Sequence, residues 1–178
     1  MSNLIGKSGN PMEVTKAGRG LVDAKSEFLQ ASMRGDAFSW CGETKAATAA
    51  DTVWMIRNDH PTKNLHFYEM TIKQDSSTVE AELHRVTAAY TSAGTAVVGV
   101  NLNGASGKVA QASAISDETG NTQGTVVRRF FLSTSEYTLD MEGAVIAAPG
   151  QAIGLDLTVG GSQCYWSVIG YFKNPDEL

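Results

Sequence analysis

The sequence is poor in the residues on which catalysis, metal binding and membrane insertion usually depend. Its 178 residues include three histidines, two cysteines and four prolines, and only 19% of them are charged. Cys41 and Cys164 lie far apart and outside any metal-binding spacing, so we expect two half-buried thiols, as in a reducing compartment; a single disulfide between them is the alternative. No stretch approaches the roughly 18 apolar residues of a membrane span, and the first ten residues lack the apolar core of a secretion signal. Neither a membrane protein nor a secreted one is expected.

Positive charge is also scarce. The 14 lysines and arginines are outnumbered by 19 aspartates and glutamates, which gives a formal net charge of −5 and a pI near 5.1. Proteins that bind nucleic-acid phosphates present a basic face, and the dipeptide formed by Arg128 and Arg129 is too short to make one. Nucleic acid is therefore excluded as an expected partner.

What the sequence does contain is short strand-forming runs joined by glycine, serine, asparagine and threonine. Runs of this kind at intervals of about ten residues, with no helices between them, predict an all-β fold, an antiparallel β-sandwich that is jelly-roll-like. We assign this sandwich to residues 37–178 and expect residues 104–124 to form polar surface loops. The predicted strands are Phe38–Cys41, Thr52–Asn58, Asn64–Lys73, Thr78–Val86, Ala96–Leu102, Thr125–Leu132, Tyr137–Met141, Val145–Ala147, Ala152–Val159 and Gln163–Phe172.

One predicted strand changes its alternation midway. In Asn64–Lys73 the apolar positions move from odd to even numbers between Phe67 and Met70. A single extra residue in a strand produces such a shift, so the pattern predicts a β-bulge near Tyr68 and Glu69.

A second strand, Thr78–Val86, alternates most regularly. This pattern predicts a half-buried strand with one face in water, although glutamate, alanine and leucine also favour a helix. The apolar face comprises Val79, Ala81 and Leu83, and the polar face comprises Glu80, Glu82 and His84.

Residues 1–36 differ from the rest, because their apolar side chains are too sparse for a sustained helix or strand. We interpret this region as an extended arm in which residues 26–33 could form two helical turns. Apolar residues that cannot make a core of their own are expected to insert into grooves on neighbouring chains. The predicted assembly contacts of the arm are Val14, Leu21, Val22, Phe28 and Leu29.

Candidate chemical groups are few. His60 lies in a predicted turn, and His66 and His84 lie on polar faces of strands without further ligands at a recognisable spacing, so we expect exposed side chains and no metal. The acidic run of residues 117–121 lacks the order of a calcium loop. No serine or cysteine has a nucleophile signature, and no pair of acids stands out. We therefore expect no enzymatic activity and no cofactor.

Aromatic residues cluster in the last predicted strand. Trp166 and Phe172 fall on one face and are expected in the core. Tyr165 and Tyr171 fall on the other face, which makes them candidate residues of a subunit interface, where tyrosine is enriched. The alternative is that the four rings form a platform on which a sugar stacks.

Several segments, taken together, resemble a group of small virion proteins of tailed bacteriophages. The resemblance runs from about Met12 to Asn174. The segments that carry it are EVTKAGRGLVDA, DAFSW, WMIRND, KNLHFYEMTI, GTAVVGVNLNGASGKVAQASAISDETGNTQG, TLDMEGAVIAAPGQAIGLDL and VIGYFKN.

This resemblance implies a non-enzymatic β-sandwich that acts in the virion as a capsid decoration, or cement, protein. Its implied partners are the major capsid protein or other virion proteins, together with further copies of itself. Closed symmetry is usual for such assemblies, and a trimer matches the threefold axes of capsids. The alternative position is a collar, tail or fibre, with a role in binding host surfaces or glycans.

Overall fold

A computed structural model describes residues 26–47, 52–75, 78–86, 94–118, 124–158 and 162–176. These residues form one short helix followed by eleven strands. The elements are α1 (Glu27–Arg34), β1 (Ala37–Ala47), β2 (Thr52–Asn58), β3 (Asn64–Gln74), β4 (Val79–Val86), β5 (Thr95–Val97), β6 (Val100–Asn101), β7 (Ala112–Glu118), β8 (Thr125–Leu132), β9 (Tyr137–Ala147), β10 (Ala152–Leu157) and β11 (Ser162–Lys173).

The strands make two antiparallel sheets that pack face to face, which confirms the predicted sandwich. One sheet has the order β6-β1-β11-β3-β9, and the other has the order β5-β7-β2-β10-β4-β8. Eight of the strands pair from the ends of the chain inward: β1 with β11, β2 with β10, β3 with β9 and β4 with β8. This nested pairing is the jelly roll. The three other strands come from the segment between β4 and β8.

The core forms where the two sheets face each other, because alternate residues of each strand point inward. Trp54 on β2 and Trp166 on β11 belong to different sheets, and their rings lie 6.0 Å apart. Phe67 on β3 lies 6.3 Å from Trp54. All three side chains are at least 96% buried, and tilted aromatic pairs of this kind add about 0.5–1.5 kcal/mol to the effect of burial alone. The aromatic residues therefore join the two sheets.

The predicted bulge in β3 is confirmed. Ile169 of β11 pairs with Glu69, whereas the next residue, Gly170, pairs with Phe67, so Tyr68 is the unpaired residue. The extra residue moves Met70 onto the inward face that Phe67 occupies before the bulge.

The region before β8 differs from the prediction. The single strand expected at Ala96–Leu102 is two short strands, and they belong to different sheets: β5 pairs with β7, and β6 pairs with β1. The residues expected to form a polar loop contain β7, which pairs with β2 along most of its length. This segment thereby covers the β1 and β2 edges of the jelly roll, one in each sheet.

The prediction that β4 has one face in water is wrong. The strand itself is present, but Glu82 and His84 on its polar face are 9% and 4% exposed. Because β4 lies between β10 and β8, charged side chains of both neighbours reach this face: Asp156 contacts His84, and Arg129 contacts Glu82. Burial of the polar face is possible because its charges are paired.

Candidate functional site

The segment between β4 and β8 is fixed to the helix by an asparagine network. The side-chain amide of Asn101 donates to the carbonyl oxygens of Gly35 and Lys108 at 2.9 and 3.1 Å. The amide of Asn103 donates to the carbonyl oxygen of Met33 at 3.0 Å. Gly35 ends α1 in the left-handed conformation, with φ 71°. The end of the helix and the loop after β6 therefore form one rigid corner of the molecule.

Large apolar side chains are exposed beside this corner. We call Val98, Val100, Leu102 and Val109 the edge patch; their exposed fractions are 81, 65, 39 and 79%. Val98 and Val109 also line one apolar groove of ≈ 360 Å³. Exposed apolar side chains that line one groove, as Val98 and Val109 do, mark a site where another molecule binds.

Positive charge surrounds one end of the edge patch. Asp36, 7% exposed, is contacted by Lys108 at 2.7 Å, Lys63 at 3.5 Å and Arg34 at 3.6 Å. Burial alone would raise the pKa of Asp36, but the two lysines outweigh it and hold this pKa below its ordinary value. Two lysines therefore share one carboxylate next to Val109, on a chain that is acidic as a whole.

The structure places the predicted arm residues in different situations. Val14, Leu21 and Val22 lie outside the described residues. Phe28 stacks on Tyr68 of its own chain, with ring centroids 4.1 Å apart, and its contact with a neighbouring chain stays a prediction. Leu29 lies on the outer side of α1 and is 46% exposed. Ser26 caps the helix, and its hydroxyl accepts from the Leu29 amide. Consecutive helical residues project about 100° apart, so Leu29 points toward solvent while Phe28 packs on Tyr68.

The two candidate interface tyrosines also differ. Tyr165 is 49% exposed on the outer face of its sheet, but Tyr171 is only 3% exposed. Tyr171 does point away from the core, as its alternation predicts, and there α1 covers it: its hydroxyl donates to Glu27 at 3.4 Å. The ring of His66 stacks on it at 5.1 Å. Tyr171 therefore belongs to an interface within the chain.

The histidines are not the exposed side chains that the sequence predicts. His66 and His84 lie in different sheets and do not approach each other. His66 is half-buried against Tyr171, and the ring of His60 accepts from the amides of Thr62 and Lys63 in a turn. His84 is buried and contacts two carboxylates.

The surroundings of His84 form a group that sequence analysis missed. Its Nε2 atom lies 2.6 Å from Asp156 Oδ1 and 3.2 Å from Glu82 Oε2, and its Nδ1 atom lies 3.3 Å from the carbonyl oxygen of Gly124. Burial lowers the pKa of His84, but Asp156, Gly124 and Glu82 together outweigh it, so the pKa is raised. In the part of the chain that is described, this is the one group of three side chains placed to hold a metal ion.

The two cysteines do not form a disulfide. Cys41 is exposed and Cys164 is buried, and both are free. Burial, with a smaller contribution from Asp75, raises the pKa of Cys164 to about 11. The Cys164 thiol is thus protonated and enclosed at neutral pH, which leaves it unsuited to nucleophilic chemistry.

Comparison with known proteins adds no relationship. No protein-family model matches the chain, and no curated protein matches it. Among the described residues, no helix has the length and apolar character that crossing a bilayer requires. The function must therefore be inferred from the site itself.

Proposed function

We propose that this protein is a non-enzymatic structural protein of a bacteriophage virion, which binds an assembled shell as a capsid decoration protein. The observation that carries this proposal is the edge patch, four large apolar side chains that a rigid corner of the fold exposes to solvent. A decoration protein needs such a surface, because it must bind a shell that is already folded and assembled.

The edge patch is suited to tight attachment. Full burial of a valine or leucine side chain contributes roughly 1.5–3 kcal/mol. Val98 and Val109 would gain most of this free energy when a partner covers them, since each is about four-fifths exposed. The asparagine network holds the patch in place before binding, so little conformational entropy is lost on contact.

The charge beside the patch indicates what kind of surface it fits. Lys63 and Lys108 share a single carboxylate, Asp36, beside Val109. The matching partner surface is apolar with an acidic rim. We propose that the major capsid protein supplies it and that binding weakens as salt screens the charges.

The remaining contacts belong to the same proposal. Leu29 and Met33, 46 and 59% exposed, lie one helical turn apart on α1, whose last turn Asn103 bonds to the loop after β6, and we propose that they join the attachment surface. Val14, Leu21 and Val22 stay predicted contacts with neighbouring chains, and Tyr165 stays a candidate interface residue. We expect a closed homo-oligomer, with a trimer as the specific hypothesis.

A host-receptor role on a collar, tail or fibre has less support. Sugar rings stack on exposed aromatic side chains, and residues 94–118, which carry the edge patch, contain no phenylalanine, tyrosine or tryptophan. An apolar patch made of valine and leucine favours binding to protein.

A pair of valine substitutions tests the attachment surface. Val98→Asp places a charge in the edge patch. Val127→Asp places the same charge on β8, where the valine is 47% exposed, and β8 forms the edge of its sheet opposite β5. Co-sedimentation with empty shells assembled without the protein should show affinity reduced at least tenfold for Val98→Asp and unchanged for Val127→Asp. Equal binding by wild type and Val98→Asp, both folded by circular dichroism, would contradict the proposal.

The role in the virion requires a second measurement. Binding only to the assembled shell stabilises that shell by mass action. Particles that lack the protein should therefore form, but release their genome at a lower temperature than complete particles. An unchanged release temperature combined with lost adsorption to host cells would favour the collar, tail or fibre role.

A further inference from the structure

We propose that Glu82, His84 and Asp156 form a binding site for one divalent transition-metal ion, of which zinc is the expected occupant. The site would connect strands β4 and β10 within one sheet, away from the edge patch. It does not depend on the proposed role in a virion.

The backbone brings the three side chains together. Glu82 and His84 are two residues apart on β4, so they project from the same face. Asp156 on β10 is the register partner of Glu82, which places its carboxylate on that face too. Two ligands at i and i+2 on one strand and a third on the neighbouring strand make a compact set fixed by sheet geometry.

The donor atoms converge in a buried space. The nearest side-chain donor atoms of the three residues lie within 4.8 Å of one another. Asp156 and His84 are 3% and 4% exposed. Although Nε2 and Oδ1 lie only 2.6 Å apart, neither atom makes a hydrogen bond of acceptable geometry. Two buried polar atoms this close without a directed bond need a cation to share, which is either a proton or, once the two side chains separate slightly, a metal ion.

The outer atoms of the same side chains are already oriented. His84 Nδ1 lies 3.3 Å from the Gly124 carbonyl oxygen, so in a neutral ring it carries the proton and leaves Nε2 with its lone pair. Arg129 contacts the other oxygen of Glu82 at 2.7 Å, which leaves Oε2 directed at His84. Backbone carbonyls and charged partners hold metal ligands in this way in known sites.

The chemistry of the donors selects the ion. One imidazole nitrogen and two carboxylate oxygens suit zinc better than calcium or magnesium, which prefer oxygen ligands alone. Zinc bonds of about 2.0–2.2 Å in a tetrahedron separate neighbouring ligands by about 3.4 Å. The distance from Nε2 to Glu82 Oε2, 3.2 Å, is close to this value. The distance to Asp156 has to open by under about 1 Å, within reach of a carboxylate rotation.

A proton is the competing occupant. A protonated His84 between two carboxylates, with Arg129 on the outer side, would balance the charge without a metal. The two occupants differ in a measurable respect, because only the metal site binds an added ion in a fixed ratio.

Metal titration of the full-length protein, freed of metal with a chelator, tests the proposal. Calorimetry with Zn²⁺ should give one site with a dissociation constant at or below about 10 μM, and Zn²⁺ should raise the melting temperature. Co²⁺ should produce the visible absorption of a tetrahedral ion. Asp156→Asn, which keeps the shape of the side chain, should weaken binding at least tenfold. Glu80→Gln, on the same strand with its carboxylate 3.9 Å from Arg129, should leave binding unchanged.

The wild-type protein alone can overturn the proposal, so the result does not depend on whether a variant folds. Absence of stoichiometric Zn²⁺ binding to the folded wild type would leave the protonated cluster as the correct description. Equal affinity of wild type and a folded Asp156→Asn variant would show that zinc binds elsewhere and would also reject this site.

Discussion

The ammonium group of Lys108 lies 2.7 Å from the carboxylate of Asp36, and this ion pair joins residues 72 positions apart in the chain. Asp36 immediately precedes β1, whereas Lys108 lies in the segment that covers the sheet edges. Lys63, which directly precedes β3, contacts the other carboxylate oxygen at 3.5 Å. One buried carboxylate thus connects three parts of the fold and fixes the segment that exposes the edge patch.

Asp36→Asn should destabilise the protein by about 1–2 kcal/mol near neutral pH, because the lysines lose their charged partner. The loss is modest because Lys108 is half exposed and solvent screens its charge. Urea denaturation of both proteins measures the difference in the free energy of unfolding.

The same pair of proteins gives a pH dependence with a defined sign. The pKa of Asp36 is lower in the folded protein than its ordinary value of 3.8, so its stabilisation is complete above that value and is lost as pH falls through the folded pKa. The difference between wild type and Asp36→Asn should therefore stay constant from neutral pH down to about 5 and shrink as the pH falls further. A difference that grows toward acid pH would contradict the ion-pair explanation.

The helix α1 provides a test with a matched pair of adjacent residues. Phe28 stacks on Tyr68 and meets the edge of Tyr171 at 6.1 Å, so Phe28→Ala should cost about 1–3 kcal/mol. Leu29→Ala removes a side chain that is nearly half exposed and should change stability by less than about 0.5 kcal/mol. Thermal or chemical denaturation of the two variants measures this contrast. Equal losses would show that α1 does not pack as described.

The local sequence pattern was sufficient to predict the positions of most strands. The predicted ranges of β2 and β8 match the observed ones, and β3 differs by one residue. In β3 even the bulge was predictable, since an inserted residue shifts the alternation of apolar side chains along the chain. Signals of this kind depend only on neighbours in sequence.

β7 could not be predicted in the same way. Its inward residues include Ala114 and Ser116, which lack the size that marks a buried strand. Their register partners on β2 are Ile56 and Trp54, so small side chains on one strand face large ones on the next. The strand is stabilised by its partner, and that pairing is invisible until the topology is known.

The cluster around His84 was missed for a related reason. Alternation correctly placed Glu82 and His84 on one face, and such a polar face usually meets water. What changes the outcome is Asp156, which the register of β4 and β10 brings opposite Glu82 from a distant part of the chain. A pairing between strands that far apart carries no local periodic signal.

The two cysteines should react very differently with a thiol reagent. Cys41 is exposed, whereas Cys164 is fully buried and its pKa is about 11. We expect one thiol to react quickly in the folded protein and the second only after denaturation. Cys41→Ser should abolish the fast reaction and leave the slow one. Two fast thiols in the folded protein would mean that β11 is accessible where the structure shows it covered.

The turn within β9 should depend on a glycine. Gly143 has φ 80°, a left-handed conformation, and an added Cβ would lie 2.6 Å from the Tyr171 hydroxyl oxygen. Gly143→Ala should therefore destabilise the protein by about 1–2 kcal/mol through backbone strain alone, and displacement of Tyr171 would disturb its contact with Glu27 and α1. Gly104→Ala is the matched control, because nothing lies within 4 Å of its Cβ position and its φ is outside the left-handed region. Urea denaturation should show a loss for the first variant and no loss for the second. If the two alanines prove equally tolerated, the backbone of β9 must differ from the one described, and with it the enclosure of Tyr171.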